Sequence, residues 1–115
     1  MTHLSADMEA CVQTCNECHH VCLETVVHCL EKGGAHAESA HIRLLLDCAA
    51  ICQTSADFML RGSEHHGAVC GVCAQICESC AIDCERFGDD AEMARCATQC
   101  RACAESCQRM ATMSH

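Results

Sequence analysis

Apolar side chains recur along this chain at alternating steps of three and four, the period of helices that each bury one stripe. Breaks at Gly33-Gly34, Gly62 and Gly88 each follow such a segment, where a left-handed C-terminal cap belongs. The pattern predicts four helices over about 5–32, 36–61, 64–87 and 90–112, the second starting between Ala35 and Ser39. Ser5, Ser63 and Asp89 are the expected N-caps, with Asp89 and Glu92 spaced as a capping box. Helices of about 25 residues are about 37 Å long. Their short connections force neighbours antiparallel. The expected fold is all-α, one domain over residues 1–115 forming an up-down-up-down four-helix bundle. Gly67 and Gly71 weaken the third helix by about 1 kcal/mol each relative to alanine.

The buried stripes are made of cysteine. Cys11, Cys15, Cys18, Cys22 and Cys29 fall on the first helix, and Cys48 and Cys52 on the second. Cys70, Cys73, Cys77, Cys80 and Cys84 fall on the third, and Cys96, Cys100, Cys103 and Cys107 on the fourth. Extended, the first stripe gains Met8 and Thr25, and the second gains His41, Leu45, Ser55 and Met59. The third runs from His66 to Phe87 and the fourth from Met93 to Met110. Up-down topology then gathers Met8, Met59, His66 and Met110 at one end, which reads as soft and accessible. Cys29, His41, Leu45, Cys84, Phe87 and Met93 gather at the other, which reads as plugged. Val12, Val26, Leu44, Ile51, Phe58, Val69 and Ile76 flank the stripes as ordinary packing residues. Ile42, Leu46 and Leu60 are apolar on the outer side of the second helix and suggest that bundles associate.

Sixteen cysteines in 115 residues change what the pattern means. A lone buried cysteine is ordinarily a small hydrophobe. A core built of sixteen, each smaller than leucine, forfeits burial energy that selection for stability would keep. Six glycines and no proline argue against a loop-rich disulfide scaffold. The segment Met1-Thr2-His3-Leu4-Ser5-Ala6-Asp7 lacks the basic and apolar regions of a signal peptide, so the expected compartment is the cytosol, where thiols serve metal or redox chemistry. A net charge of −9 and only two aromatics, Phe58 and Phe87, argue against nucleic acid as partner, and the absence of an eighteen-residue apolar run argues against a membrane span.

Soft thiolates select Cu(I), Zn(II) or iron–sulfur clusters. Charge separates these. One Cu(I) replacing each thiol proton leaves the core neutral, whereas four Zn(II), each on four thiolates, would bury two negative charges per site, and the inner stripes hold no Lys or Arg to balance them. Cys-x3-Cys-x2-Cys at 11/15/18, 73/77/80 and 96/100/103 is a by-product of heptad spacing, and 115 residues cannot supply the barrel of a radical enzyme. Cys-x-x-Cys at 15/18, 70/73, 77/80 and 100/103 lacks the βαβ context of a thioredoxin. Of the Glu-x-x-His pairs at 17/20 and 38/41, only Glu38 and His41 could point inward, half of a di-iron motif. No nucleophilic triad or phosphate loop is visible, so the chain reads as a non-enzyme. Alternatives are a zinc or mixed d10-metal sequestering protein of metallothionein-like role, a thiol–disulfide redox protein and a small iron–sulfur carrier.

The repeated Cys-x-x-x-Cys at 11/15, 18/22, 48/52, 73/77, 80/84, 96/100 and 103/107, carried across the whole chain, resembles the bacterial copper storage proteins, the Csp family. The resemblance implies a four-helix bundle whose lumen binds many Cu(I) ions through thiolates, with Met or His at the mouth. It implies the cytosolic type, usually a tetramer of bundles. All sixteen cysteines then become ligands; Met8, Met59, His66 and Met110 become mouth residues, and His41 joins the candidate ligands at the far end. Cu(I) is the implied cargo, exchanged with small-molecule or chaperone donors and acceptors.

Overall fold

In the computed structural model, which describes residues 4–113, four helices carry nearly the whole chain. They are α1 (Ala6–Lys32), α2 (Ser39–Leu60), α3 (His66–Glu85) and α4 (Ala91–Thr112), with a short 3-10 turn at Gly34–Ala37. The described residues contain no strand. Residues 1–3 of the N-terminal segment read above, and residues 114–115 of the expected domain, lie outside them.

α1 packs against α2 and α4, and α3 closes the square against both. The result is a rod of 48 × 18 × 18 Å, the up-down-up-down bundle that short connections demand. By length and hydropathy α3 could cross a membrane, because cysteine counts as apolar; here its cysteine stripe forms one wall of the core.

The caps explain where the helices stop. Ser5 accepts a hydrogen bond from the Met8 amide at 3.1 Å and starts α1, as expected. Gly33, at φ 73°, donates its amide to the Cys29 carbonyl and ends it. Gly62, at φ 66°, ends α2 in a Schellman motif: its amide reaches Met59 O and the Ser63 amide reaches Phe58 O.

Other boundaries differ from the sequence reading. α2 begins at Ser39, the latest of the expected starts, because Gly34 sits at φ 58° and Glu38 is extended, breaking the helix after one 3-10 turn. α3 begins at His66, not 64. Ser63 caps no helix; its hydroxyl accepts from the His65 amide and holds the turn. α3 ends at Glu85, and Gly88 takes no positive φ; instead the chain tightens through Phe87 N–H to Cys84 O and Asp90 N–H to Phe87 O. Asp90, not Asp89, caps α4, one Oδ1 atom accepting from the Glu92 and Met93 amides, so the expected capping box does not form. Of the outer apolar residues, Leu46 and Leu60 are exposed as expected, but Ile42 is half-buried against the core.

Candidate metal centre

All sixteen cysteines are free thiols, and every one is buried on the bundle axis. The three–four spacing puts each helix's set on one face, and the square arrangement turns the four faces together. Sulfur then meets sulfur across helices: Cys15 and Cys107 at 3.5 Å, Cys48 and Cys77 at 3.6 Å, Cys52 and Cys77 at 3.6 Å, Cys52 and Cys103 at 3.7 Å, Cys11 and Cys107 at 3.8 Å, Cys22 and Cys100 at 3.8 Å. Cys18 and Cys48 each lie 3.9 Å from Cys100.

Overlapping groups of four thiols have all sulfurs within 4.8 Å of one another. They include Cys15/Cys73/Cys103/Cys107, Cys18/Cys22/Cys48/Cys100, Cys18/Cys48/Cys52/Cys77, Cys22/Cys80/Cys96/Cys100 and Cys52/Cys73/Cys77/Cys103. A metal–sulfur bond of about 2.3 Å sets sulfurs about 3.8 Å apart in a tetrahedron, about 4.0 Å in a trigonal site and about 4.6 Å in a linear one. The thiols already stand at these separations. Because the groups share members, the core is a continuous lattice in which one sulfur can bridge two ions.

At the α1–α2 turn end the donors change. The Cys29 sulfur lies 3.3 Å from His41 Nε2 and 3.6 Å from the Met93 thioether. His41 Nδ1 bonds to the Asp83 carboxylate, which Arg86 also holds at 2.8 Å. With Nδ1–H donating to Asp83, the Nε2 lone pair faces Cys29, the tautomer a soft metal needs. Against the opposing effect of its burial, His41 and Arg86 hold the Asp83 carboxyl below its usual range. Phe87 covers His41, ring centroids 5.1 Å apart. The sequence reading placed Cys29, His41 and Met93 at this end but did not count Met93 as a donor or see Asp83 behind His41. Asp83 lies one residue before Cys84, at the edge of the cysteine stripe. Glu38, in contrast, is exposed at the start of α2 and does not join His41.

At the other end Met59 and Met110 are fully buried, His66 is buried with its Nδ1 at 2.9 Å from Ser63 O, and Met8 is half-buried beside Leu4 over the core. Met59, His66 and Met110 are thus buried here rather than accessible as the pattern suggested, with Leu4 and Met8 packed against the core. Ser55, on the cysteine-poor second stripe, lies 3.3 Å from the Cys70 sulfur.

Burial and neighbouring thiols move the cysteines in opposite directions. Hydrogen bonding with Cys100 lowers Cys18, Cys48 and Cys96, hydrogen bonding with Cys103 lowers Cys73, and Cys11 is lowered as well. Burial pushes Cys29 up to about 11, with the charges of Cys96, Asp90 and Asp83 adding to the effect. Cys100, ringed by Cys18, Cys22, Cys48 and Cys80, is pushed up by those thiols and by burial, and Cys103 by Cys107, Cys15, Cys18 and Cys52 in the same way. The buried polar side chains among the described residues are Thr25, His41, Ser55, His66 and Ser106. None is a lysine or arginine that could balance a charged metal–thiolate core, and this favours a monovalent ion that replaces each proton one for one.

Known proteins share this fold. The chain superposes on the Nmul_A1745 protein of Nitrosospira multiformis with TM-score 0.88 at 48% identity, covering 94% of this chain and 97% of that one. It superposes on the Cu(I)-bound copper storage protein BsCsp3 of Bacillus subtilis with TM-score 0.86 at 36% identity, covering 92% and 99%. A cytosolic copper storage protein of Streptomyces lividans carrying five coppers matches at TM-score 0.87 and 27% identity over 95% of both chains. The sequence profile described as copper storage protein spans residues 4–112, and on that match the chain belongs to the Csp family.

Proposed function

We propose that this protein stores Cu(I) in the cytosol, holding many ions on its core thiolates away from water and oxidants, and that its role is binding rather than catalysis. The observation that carries the reading is the shared-sulfur lattice of sixteen buried thiols with no buried lysine or arginine among the described residues. Cu(I) accepts two or three thiolates, and soft donors select it. All sixteen cysteines and His41 are assigned as ligands, with Met93 added to the Cys29–His41 end. The Cu(I)-bound state of BsCsp3 and the copper-loaded Streptomyces protein support the assignment.

Anaerobic titration followed by mass spectrometry tests it. Three of the four-thiol groups share no member, Cys15/Cys73/Cys103/Cys107, Cys18/Cys48/Cys52/Cys77 and Cys22/Cys80/Cys96/Cys100, and they leave only Cys11, Cys29, Cys70 and Cys84. Tetrahedral Zn(II) would therefore saturate near three ions per chain. Cu(I) is expected to load well beyond that, without colour, giving sulfur-to-copper charge transfer in the ultraviolet and displacing the thiol protons. Saturation of Cu(I) at three ions, or Zn(II) that copper fails to displace, would favour the zinc reading.

Met8, Met59, His66 and Met110 are proposed as the mouth, where thioethers pass Cu(I) inward by ligand exchange. Leucine conserves volume at such positions, so the fold should survive replacement of Met8, Met59 and Met110. Uptake measured by stopped-flow is expected to slow severalfold while the final copper content changes little. Equal loss of rate and content would remove the mouth role. Exposed Leu46 and Leu60 support association into an oligomer, proposed as a tetramer, and copper donors and acceptors would be small thiols or a copper chaperone.

A further inference from the structure

Outside the sulfur core, two histidines converge on one carboxylate. His28 comes from the last turns of α1, His36 from the 3-10 turn and Asp90 from the start of α4. The Nε2 atoms of both rings reach the same oxygen, Asp90 Oδ2, at 2.8 Å and 3.0 Å. The other carboxylate oxygen, Oδ1, carries the helix cap, so Oδ2 is free for other work. The three side chains are 20%, 19% and 13% exposed: sheltered, with one side open. A hollow of about 320 Å³ beside His36 and Asp90 leaves room for water.

We propose that His28, His36 and Asp90 form a binding site for a borderline divalent cation such as Zn(II), separate from the thiol-lined core. Two imidazoles and a carboxylate suit Zn(II), Co(II) or Ni(II) and not the soft Cu(I) of the lumen. Bonds of about 2.0–2.1 Å in a tetrahedron set donors about 3.3 Å apart, so each histidine needs to back away by only a few tenths of an ångström. The fourth position would be water from the open side. The two Nε2–H groups that now donate to Oδ2 would transfer their protons to Nδ1, leaving both Nε2 lone pairs on the cation and both rings neutral. Glu92 stands ready for one of these protons, its Oε2 being 4.0 Å from His28 Nδ1, as carboxylates commonly do behind metal-bound histidines. The carbonyl end of α1, Asp89 and Glu92 place negative charge around the site, against the amide end of α4, Lys32 and Arg86.

The probe is Zn(II) added by anaerobic equilibrium dialysis to protein whose thiols are first saturated with Cu(I). One extra Zn(II) per chain is expected, bound at least tenfold more weakly by Asp90→Asn, which keeps the cap, and by His28→Gln. Co(II) in place of zinc should show ligand-field bands without sulfur-to-cobalt charge transfer. If the core takes no Cu(I), the Co(II) difference spectrum between wild type and Asp90→Asn, both reduced and copper-free, reads the same site. No bound zinc, equal binding by the variants, or thiolate charge transfer in that difference spectrum would each overturn the proposal.

Discussion

Replacing Cys15, Cys18, Cys73, Cys77, Cys100 and Cys103 by alanine is expected to separate the copper and zinc readings more sharply than any other change. Ten of sixteen thiols remain, so the Cu(I) bound at saturation should fall to about six-tenths. Zinc should fare far worse. Each of the five four-thiol groups named above contains at least one of the six residues, so all five lose between one and three sulfurs at once. Pairs able to hold a linear Cu(I) survive: Cys48 with Cys52, Cys22 with Cys80 and Cys96, and Cys11 with Cys107. The helices should persist, because alanine is the strongest helix former and each change removes one buried sulfur. Mass spectrometry after saturation with each metal, beside far-ultraviolet circular dichroism, checks this. A variant that loses copper and zinc in the same proportion would mean that Cu(I) depends on four-thiol sites, contrary to the lattice described here.

Much of this site was legible in the chain because cysteine marks its own stripe. A leucine core shows only that a helix has an inner face. Here the residues that report the face also carry the candidate donor sulfurs, so one period pointed to both the bundle and the proposed ligands. The helix ends were less legible. Asp89 and Asp90 are adjacent and both are competent caps; the hydrogen bond from Asp90 N–H to Phe87 O, made only once the turn tightens, selects the second. Gly88 resembled Gly33 and Gly62 in sequence, yet the α3–α4 turn closes without a left-handed residue. The far end of the lumen was legible as a gathering of residues but not as chemistry. Asp83 behind His41, and the convergence of His28 and His36 on Asp90, join segments far apart in sequence, which periodicity within one helix cannot report. Leu4, which precedes the first helix and belongs to no stripe, was likewise not legible as a core contact.

Loading with Cu(I) is expected to raise the thermal midpoint by tens of degrees without changing the helical content. The metal-free core is thin: its fully buried large side chains are Leu45, Met59, Met93, Met110 and His41, and most of the rest is cysteine and alanine. Domains of this kind are stable by about 5–15 kcal/mol at most, and this one should lie at the low end. A ligand present at a thousandfold excess over its dissociation constant adds about 4 kcal/mol for each site, so a few ions match the whole stability of the metal-free chain. For a chain of this length, roughly 1 kcal/mol moves the midpoint by about 2–8 °C. The helical signal should stay constant because the thiols converge before metal arrives. The two forms should also diverge with pH. Cys29 is pushed up to about 11 from an ordinary thiol value of 9.0, and Cys100 and Cys103 are raised as well. Below 9 these three thiols are protonated in both folded and unfolded chains, and their contribution to stability is fully present. Between 9 and 11 the unfolded chain gives up its protons first, so the metal-free protein loses stability as pH rises. In the loaded protein those protons are already gone and the sulfurs are bound, so its midpoint should hold across the same window. Thermal melts by circular dichroism at pH 8, 9, 10 and 11 would show it. Coincident melts for the two forms, or helices that appear only with copper, would mean that the thiols are not held in place by the fold itself.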